Sequence, residues 1–227
     1  IAAATSATRE AENGGDFLAA VRERTGIDVR VISGAEEARL IHLAAAYAVD
    51  VGGRRAVVID IGGGSVEITL GTAADIQLAR SFKVGVIRLT ERFVRTDPLS
   101  ERDERRMTKH IIDEVDRHCE QITAVGFDRV IGTSGTILSI GALAATAARG
   151  TPPSDLRNMR VSAKQIRRIR KEVVAVDIER RLALPGMDPR RADLAVAGSV
   201  LIDTILRRLG AEELTLCDLA LREGLVL

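Results

Sequence analysis

One stretch, VVIDIGGGSVEITLG (57–71), constrains the fold more than any other part of the sequence. An apolar run leads into Asp60, three glycines follow, and a second strand-like segment carries Glu67. The run before Asp60 predicts a buried strand, and the glycines predict a turn that returns the chain as a neighbouring strand. The pattern therefore predicts a sheet with one acid on either side of a turn almost free of side chains.

Strands and helices alternate through the rest of the chain. Periodicity predicts strands at 1–4, 27–32, 56–61, 66–71, 76–82, 128–133 and 213–217. It predicts helices around Phe17–Val21, at 35–49, 85–95, 100–124, 135–148, 162–175 and 189–209, and at the end of the sequence. Three hairpin-linked strands followed by strand–helix alternation indicate a mixed sheet flanked by helices, which is the α/β class.

Composition bounds the class of protein. The 227 residues are enough for one large domain or two lobes, and VGGRR (51–55) is the best linker candidate, which divides the chain into 1–51 and 52–227. A net charge of +1, four Phe, one Tyr and no Trp argue against a nucleic-acid or membrane partner. Cys119 and Cys217 are isolated, and no apolar run has the length of a membrane span, so a cytoplasmic protein is expected. The opening without Met and the apolar last residues predict a fragment of a longer protein.

The glycine turn has the composition of a phosphate site. Without Cβ atoms, its backbone N–H groups are free to converge on an anion. Asp60 and Glu67 beside it match the preference of Mg²⁺ for one or two carboxylates together with phosphate oxygens and water. The alternative is a plain hairpin with a flexible loop and two solvated acids. The predicted phosphate ligands in this turn are Gly62, Gly63, Gly64 and Ser65.

The segment ISGAEEARL (32–40) predicts a helix start. Ser33 is an N-cap candidate, and Glu36 three residues later completes a capping-box pattern. Glu37 is then left free in the first turn, where the helix dipole favours a carboxylate. Local sequence alone favours a surface acid at Glu37, and a catalytic role needs support from outside this segment.

A second glycine loop, VIGTSGTILS (130–139), lies between a strand and a helix, where free N–H groups form an anion site. The alternative is an ordinary capped turn.

Arg9 follows the first strand and could bind phosphate through two hydrogen bonds, although alone it would be any surface arginine. The segment 157–171 carries seven basic and no acidic residues, a pattern more typical of a solvated helix face than of a polyanion site. The histidines at 42, 110 and 118 share no metal-like spacing.

Taken in order, the motifs ATSATREAENGGDFL, VISGAEEARLIHL, DIGGGSVEITLG, GTSGT and ALREGLVL resemble the exopolyphosphatase and guanosine pentaphosphate phosphatase family, across essentially the whole chain. The resemblance implies an actin-like (ribonuclease H-like) phosphotransferase fold of two lobes with the active site in the cleft between them, the first lobe being incomplete here. It implies magnesium-dependent removal of terminal phosphate from inorganic polyphosphate or from guanosine pentaphosphate, and often a homodimer.

The resemblance also implies residue roles. Glu37 matches the family's catalytic base, Arg9 the arginine of its first motif, and Asp60 and Glu67 its magnesium-associated acids. The second glycine loop matches through Gly132, Ser134 and Gly135, and the first through Gly62, Gly63, Gly64 and Ser65.

Two departures from the family pattern stand out. Val66 replaces a threonine, and no D-x-G-S-N-S-type loop is present.

Two other functions share parts of this signature. An actin-like ATPase or sugar kinase has the same glycine hairpin, and a polyphosphate or alarmone sensor would bind without hydrolysis.

Overall fold

The computed structural model describes residues 1–227, which form an α/β structure with eight strands and ten helices. The strands are β1 (Ala3–Ala4), β2 (Arg30–Val31), β3 (Ala56–Ile61), β4 (Val66–Gly71), β5 (Ile76–Phe82), β6 (Arg129–Thr133), β7 (Arg160–Ser162) and β8 (Glu213–Leu216). The helices are α1 (Ser6–Glu10), α2 (Gly14–Thr25), α3 (Gly34–Val49), α4 (Val86–Phe93), α5 (Glu101–Val125), α6 (Ser134–Arg149), α7 (Ala163–Val174), α8 (Ile178–Leu182), α9 (Ala195–Leu209) and α10 (Leu221–Gly224).

Six strands form the main sheet, in the order β5-β4-β3-β6-β8-β7. The β3–β4, β4–β5 and β7–β8 pairs are antiparallel, whereas β3–β6 and β6–β8 are parallel. If β3, β4, β5, β6 and β8 are renumbered 1 to 5 in chain order, their order across the sheet is 3-2-1-4-5. Strand 2 of this set, β4, is antiparallel to both of its neighbours. This is the ribonuclease H-like arrangement that the resemblance implies, so the predicted fold class is confirmed.

The central strand β3 is buried on both faces, because its side chains alternate between two cores. Val57, Ile59 and Ile61 belong to a large core formed with α4, α5, α6, α7 and α9. Ala56 and Val58 belong to a smaller core on the other face, where α3 packs. The same alternation places the next residue of that second set, Asp60, on the face that α3 covers.

The N-terminal segment differs from its prediction. The strands predicted at 1–4 and 27–32 shorten to β1 and β2, which pair only with each other. Ile1 is 95% exposed. Helix α3 from this segment packs against the main sheet through the smaller core. The division into lobes at 51–52 stays a prediction.

The C-terminal half shows three further differences. The helix predicted over 189–209 is split into a 3-10 turn at Pro189–Arg191, whose N-cap is Asp188, and α9, which starts at Ala195. Strand β7 and helix α8 were not predicted, because each is short and lies in a strongly charged segment. None of the helices is both long and apolar enough to span a membrane.

Candidate active site

Asp60 and Glu67 lie directly opposite each other on β3 and β4. Asp60 is 7% exposed and Glu67 is 2% exposed, and neither has an ion-pair partner. Ser81 on β5 donates a hydrogen bond of 2.6 Å from Oγ to Oε1 of Glu67. Burial, together with the charges of Glu67 and Glu37, raises the pKa of Asp60 to about 8. Burial and the charge of Glu37 raise the pKa of Glu67 to about 7.

Glu37 reaches this pair from the first turn of α3. The predicted N-cap is confirmed, since Ser33 Oγ accepts a hydrogen bond of 3.1 Å from the amide of Glu36. The second half of the predicted capping box does not form, because the Glu36 carboxylate pairs with Arg30 at 2.7 Å. Glu37 is 7% exposed, so it is not a surface acid. Burial raises its pKa, and Arg9 opposes that shift.

Arg9 on α1 ties the N-terminal segment to the acids. Its Nη1 atom donates to the carbonyl oxygen of Ile32 at 2.7 Å and to Oε2 of Glu37 at 3.2 Å. The guanidinium group is partly exposed, with 23% of the side-chain surface accessible. Arg9 therefore both orients Glu37 and keeps part of its charge open to the site.

The glycine turn between β3 and β4 is held in place by hydrogen bonds that its carbonyl oxygens accept. Amides at the start of α4 donate to it: Val86 N to Gly62 O at 3.0 Å, Ile87 N to Gly63 O at 3.0 Å and Gly85 N to Gly64 O at 3.3 Å. The amide N–H groups on the other side of the turn have no acceptor within the protein. Three successive free donors in a turn can bind an anion together, and we call this set the nest. These donors belong to Gly63, Gly64 and Ser65.

Gly85 makes this arrangement possible, and sequence reasoning did not identify it. A Cβ atom at Gly85 would overlap the backbone of Gly63 and Gly64. Its φ of −62° is open to any residue, so the requirement for glycine is steric rather than conformational. Ser6 closes the other side of the turn, since a Cβ atom on Gly64 would lie 2.6 Å from its Oγ.

The second glycine loop lies next to the first. Ser134 has a φ of 74° and donates from Oγ to the carbonyl oxygen of Ile61 at 2.6 Å, which joins the start of α6 to the end of β3. Thr133 gives no side-chain cap to α6. The Arg191 guanidinium, which sequence reasoning missed, occupies the space that a Cβ atom on Gly135 would need. This helix start therefore combines a positive dipole end with a cation.

Gly132 has a different position from the other predicted phosphate ligands. It lies within β6, opposite Ile59 on β3 and Leu216 on β8. A Cβ atom there would lie 2.7 Å from Ile137 and 3.0 Å from Leu214. Close packing between strand and helix thus accounts for this glycine, and its role toward phosphate stays a prediction.

The donor set suits magnesium better than a metal that needs a complete protein cage. No group of three or more His, Cys, Asp or Glu side chains is placed to hold an ion. Mg²⁺ keeps several waters and takes one or two carboxylates plus phosphate oxygens. Asp60 and Glu67 are two buried acids without an ion-pair partner, next to the nest, and they fit that requirement.

The remaining candidate residues serve packing and ion pairs. His42 Nδ1 lies 2.7 Å from Thr69 Oγ1, and His118 Nε2 lies 3.0 Å from the carbonyl oxygen of Ile68, so both histidines are satisfied within the core. Most cations of the basic segment 157–171 pair within the protein. Their partners are Asp218, Glu213, Asp203, Glu172 and Glu104.

Comparison with known proteins gives consistent results. The model of the Ppx/GppA phosphatase family matches residues 1–227. Exopolyphosphatase 1 of Mycobacterium leprae is 32% identical over 228 residues, which cover 100% of this chain and 67% of that protein. Exopolyphosphatase 1 of Mycobacterium tuberculosis is 32% identical over 229 residues, which cover 66% of it. The chain thus spans about two thirds of the length of these curated relatives.

Two crystal structures share the architecture. That of an exopolyphosphatase from Cytophaga hutchinsonii matches with a TM-score of 0.90 and 31% identity, covering 100% of this chain and 73% of that one. That of the Aquifex aeolicus Ppx/GppA family member matches with a TM-score of 0.82 and 27% identity, covering 99% and 71%. The similarity therefore extends over the whole chain, including all the site residues described above.

Proposed function

The chain belongs to the Ppx/GppA phosphatase family, and we propose that it hydrolyses phosphoanhydrides, releasing terminal orthophosphate from inorganic polyphosphate. One observation carries this proposal. Glu37, Asp60 and Glu67 are three buried carboxylates beside a set of free amides; the charge of Glu37 raises the pKa values of both Asp60 and Glu67, and the charge of Glu67 further raises that of Asp60. Such a site combines a base, a cation-binding pair and an anion cradle.

The terminal phosphate would bind in the glycine nest. The amides of Gly63, Gly64 and Ser65 would donate to its oxygens, and the carbonyl contacts to α4 hold them in place before substrate arrives. The start of α6, with Arg191 against Gly135, offers further positive charge near the end of β3. Donors fixed in advance stabilise the charge that develops during transfer, because they need no reorganisation.

Glu37 would orient the attacking water and accept its proton. Burial raises its pKa, which makes the carboxylate a stronger base, while the contact with Arg9 keeps it oriented and favours ionisation. A positioned general base contributes about 10²–10⁴-fold to such a step. Water is proposed as the attacking group because the Cys119 thiol beside His118 is buried, and burial raises its pKa to about 12, so it is a poor nucleophile.

Asp60 and Glu67 would hold the magnesium ion. When bound there, the ion supplies positive charge that neutralises the phosphate oxygens. Without a cation, the folded chain keeps protons on these two acids up to about neutral pH, because their pKa values are raised to about 8 and about 7. Because these two acids lie beside the nest, a cation that replaced their protons would bind next to the phosphate.

Polyphosphate is the first substrate to test, because the curated relatives are named exopolyphosphatases. The terminal phosphate of guanosine pentaphosphate presents the same group to the nest, so the same residues would act on it. The two substrates should be compared side by side.

The test is release of orthophosphate from polyphosphate and from guanosine pentaphosphate by the intact protein, with Mg²⁺ and with a chelator. We expect release that requires the metal and is lost in Asp60→Asn. Tight binding of adenosine nucleotides with no phosphate release would favour the kinase-like alternative, and saturable polyphosphate binding without release would favour a sensor.

A further inference from the structure

We propose that a basic groove beside the glycine turn, formed by Lys83, Arg88, Arg92 and His110, is a second phosphate subsite that binds internal phosphates of a polyphosphate chain. This inference rests on the proposed function and extends it from the terminal phosphate to the polymer behind it. A nest of three amides holds one phosphate group. A polyphosphate carries negative charge along its whole length, so it needs cations outside the nest.

The groove begins at the turn itself. Arg88 donates from Nε to the carbonyl oxygen of Gly64 at 2.8 Å, so its guanidinium joins the groove to the carbonyl side of the turn. The groove encloses about 350 Å³ and is lined by Lys83, Arg88, Leu89, Glu91, Arg92 and His110. Arg88 and Arg92 are four residues apart on α4, which puts them on the same face of the helix about 5–6 Å apart at Cβ. Successive cations thus lead away from the turn.

The charges in the groove are only partly balanced. Lys83 and Arg88 share one carboxylate, that of Glu10, at 2.9 Å each. Arg92 has no carboxylate within 4.0 Å. Its guanidinium lies 5.2 Å from the ring centroid of Phe93, and Nη1 lies 3.3 Å from Nε2 of His110. These contacts fix the position of the cation and leave its charge unpaired.

The ligand chemistry follows from this arrangement. Cations spaced along a helix face, with a single lining acid, Glu91, suit a flexible polyanion better than a compact anion. Few apolar groups line the groove, so a base or other aromatic group would have little to pack on. The groove would therefore favour a long phosphate chain, whereas the base of a nucleotide would gain little packing from it.

The test compares substrates of different length. KM should be measured with tripolyphosphate and with long-chain polyphosphate for the wild type, Arg92→Gln and Lys83→Gln. We expect the ratio of long-chain to tripolyphosphate KM to rise about three- to tenfold in each variant, as for the loss of one charge-assisted contact. The matched control is Arg149→Gln, an exposed arginine without an ion pair at the far end of α6, which should leave the ratio unchanged.

A binding experiment separates this inference from the proposed function. Affinities for both polyphosphates should also be measured by calorimetry in a chelator, where turnover is not required. If the wild type releases no phosphate, the proposed function fails, and weaker long-chain binding by Arg92→Gln would still support the groove. Equal effects of Arg92→Gln on both chain lengths, or no effect on either, would overturn the groove proposal.

Discussion

Asp60 and Glu67 are paired across two antiparallel strands and buried on the same face of the sheet, and neither has an ion-pair partner. Like charges this close in a dry site disfavour ionisation of both groups. Glu37 adds a third negative charge from α3. The folded chain therefore favours the protonated forms of this pair, and a bound cation would favour the ionised forms.

Affinity for Mg²⁺ should depend on pH. The pKa values of Asp60 and Glu67 are raised to about 8 and about 7, so protons must leave before a cation can bind. Affinity should rise as pH increases from about 6 to about 9, with proton release on binding. Calorimetric titration in buffers of different ionisation enthalpy measures both quantities. Affinity that does not vary with pH would contradict the assignment.

The same shifts predict the stability of the metal-free protein. Because the folded chain binds more protons than the unfolded chain between about pH 4 and about pH 8, the free energy of unfolding should fall as pH rises through that window. Asp60→Asn should flatten this part of the profile, and urea titrations at several pH values would show it. An unchanged slope in the variant would mean that Asp60 ionises normally.

Arg9→Gln should act through Glu37. The guanidinium lowers the pKa of Glu37 by a hydrogen bond and by its charge, so its loss should raise that pKa further. The acidic limb of the pH–rate profile should move to higher pH, and kcat should fall by about 10²-fold through lost charge stabilisation. Arg30→Gln is the control, because Arg30 pairs with Glu36 on the exposed side of the same helix start. If the acidic limb of the pH–rate profile moved equally in both variants, the shift could not be assigned to the contact between Arg9 and Glu37.

Gly85→Ala should damage the phosphate nest. The added methyl group would overlap backbone atoms of the glycine turn, so the turn must move. A displacement of about 1 Å can cost about 10²-fold in kcat/KM. Gly53→Ala serves as the control, since a Cβ atom there has nothing within 4 Å. If Gly85→Ala keeps wild-type kcat/KM, the turn is not the rigid cradle described here.

Arg181→Met should destabilise the fold. Arg181 is 2% exposed and forms an ion pair with Asp97. It also donates to three backbone carbonyl groups, and its loss would leave these acceptors without a donor, at a cost of about 2–4 kcal/mol. These acceptors belong to Val173, Val176 and Ala192.

Urea unfolding measures this cost, with Arg180→Gln as the exposed neighbouring control. One of the three acceptors, Ala192, directly follows Arg191, so the variant should also weaken phosphate binding. A loss of less than about 1 kcal/mol would show that the buried contacts contribute little net stability.

Local patterns predicted those parts of the molecule that depend on neighbours in sequence. The Ser33 cap, the strands around the glycine turn and the α/β class are examples, because each needs only a few adjacent residues to recognise. The burial of Glu37 was not decided by its own segment. It follows from the packing of α3 on the sheet, which no local pattern describes.

Long-range contacts explain what the sequence could not show. Gly85 matters because it meets a turn more than twenty residues earlier, and Arg181 because it reaches Asp97. Arg191 lies near the site only after the chain folds against α6. The sequence does show Gly85 directly before an apolar helix start. This pattern could not reveal the contact with the turn, because glycine is also common at ordinary helix N-caps.

The most direct test of this account compares two adjacent acids. Glu37→Gln and Glu36→Gln should be assayed for phosphate release from polyphosphate with Mg²⁺, together with polyphosphate affinity. We expect Glu37→Gln to lose about 10²–10⁴-fold in kcat while still binding polyphosphate, and Glu36→Gln to stay near the wild type. Wild-type turnover in Glu37→Gln would contradict the central claim that Glu37 is the base.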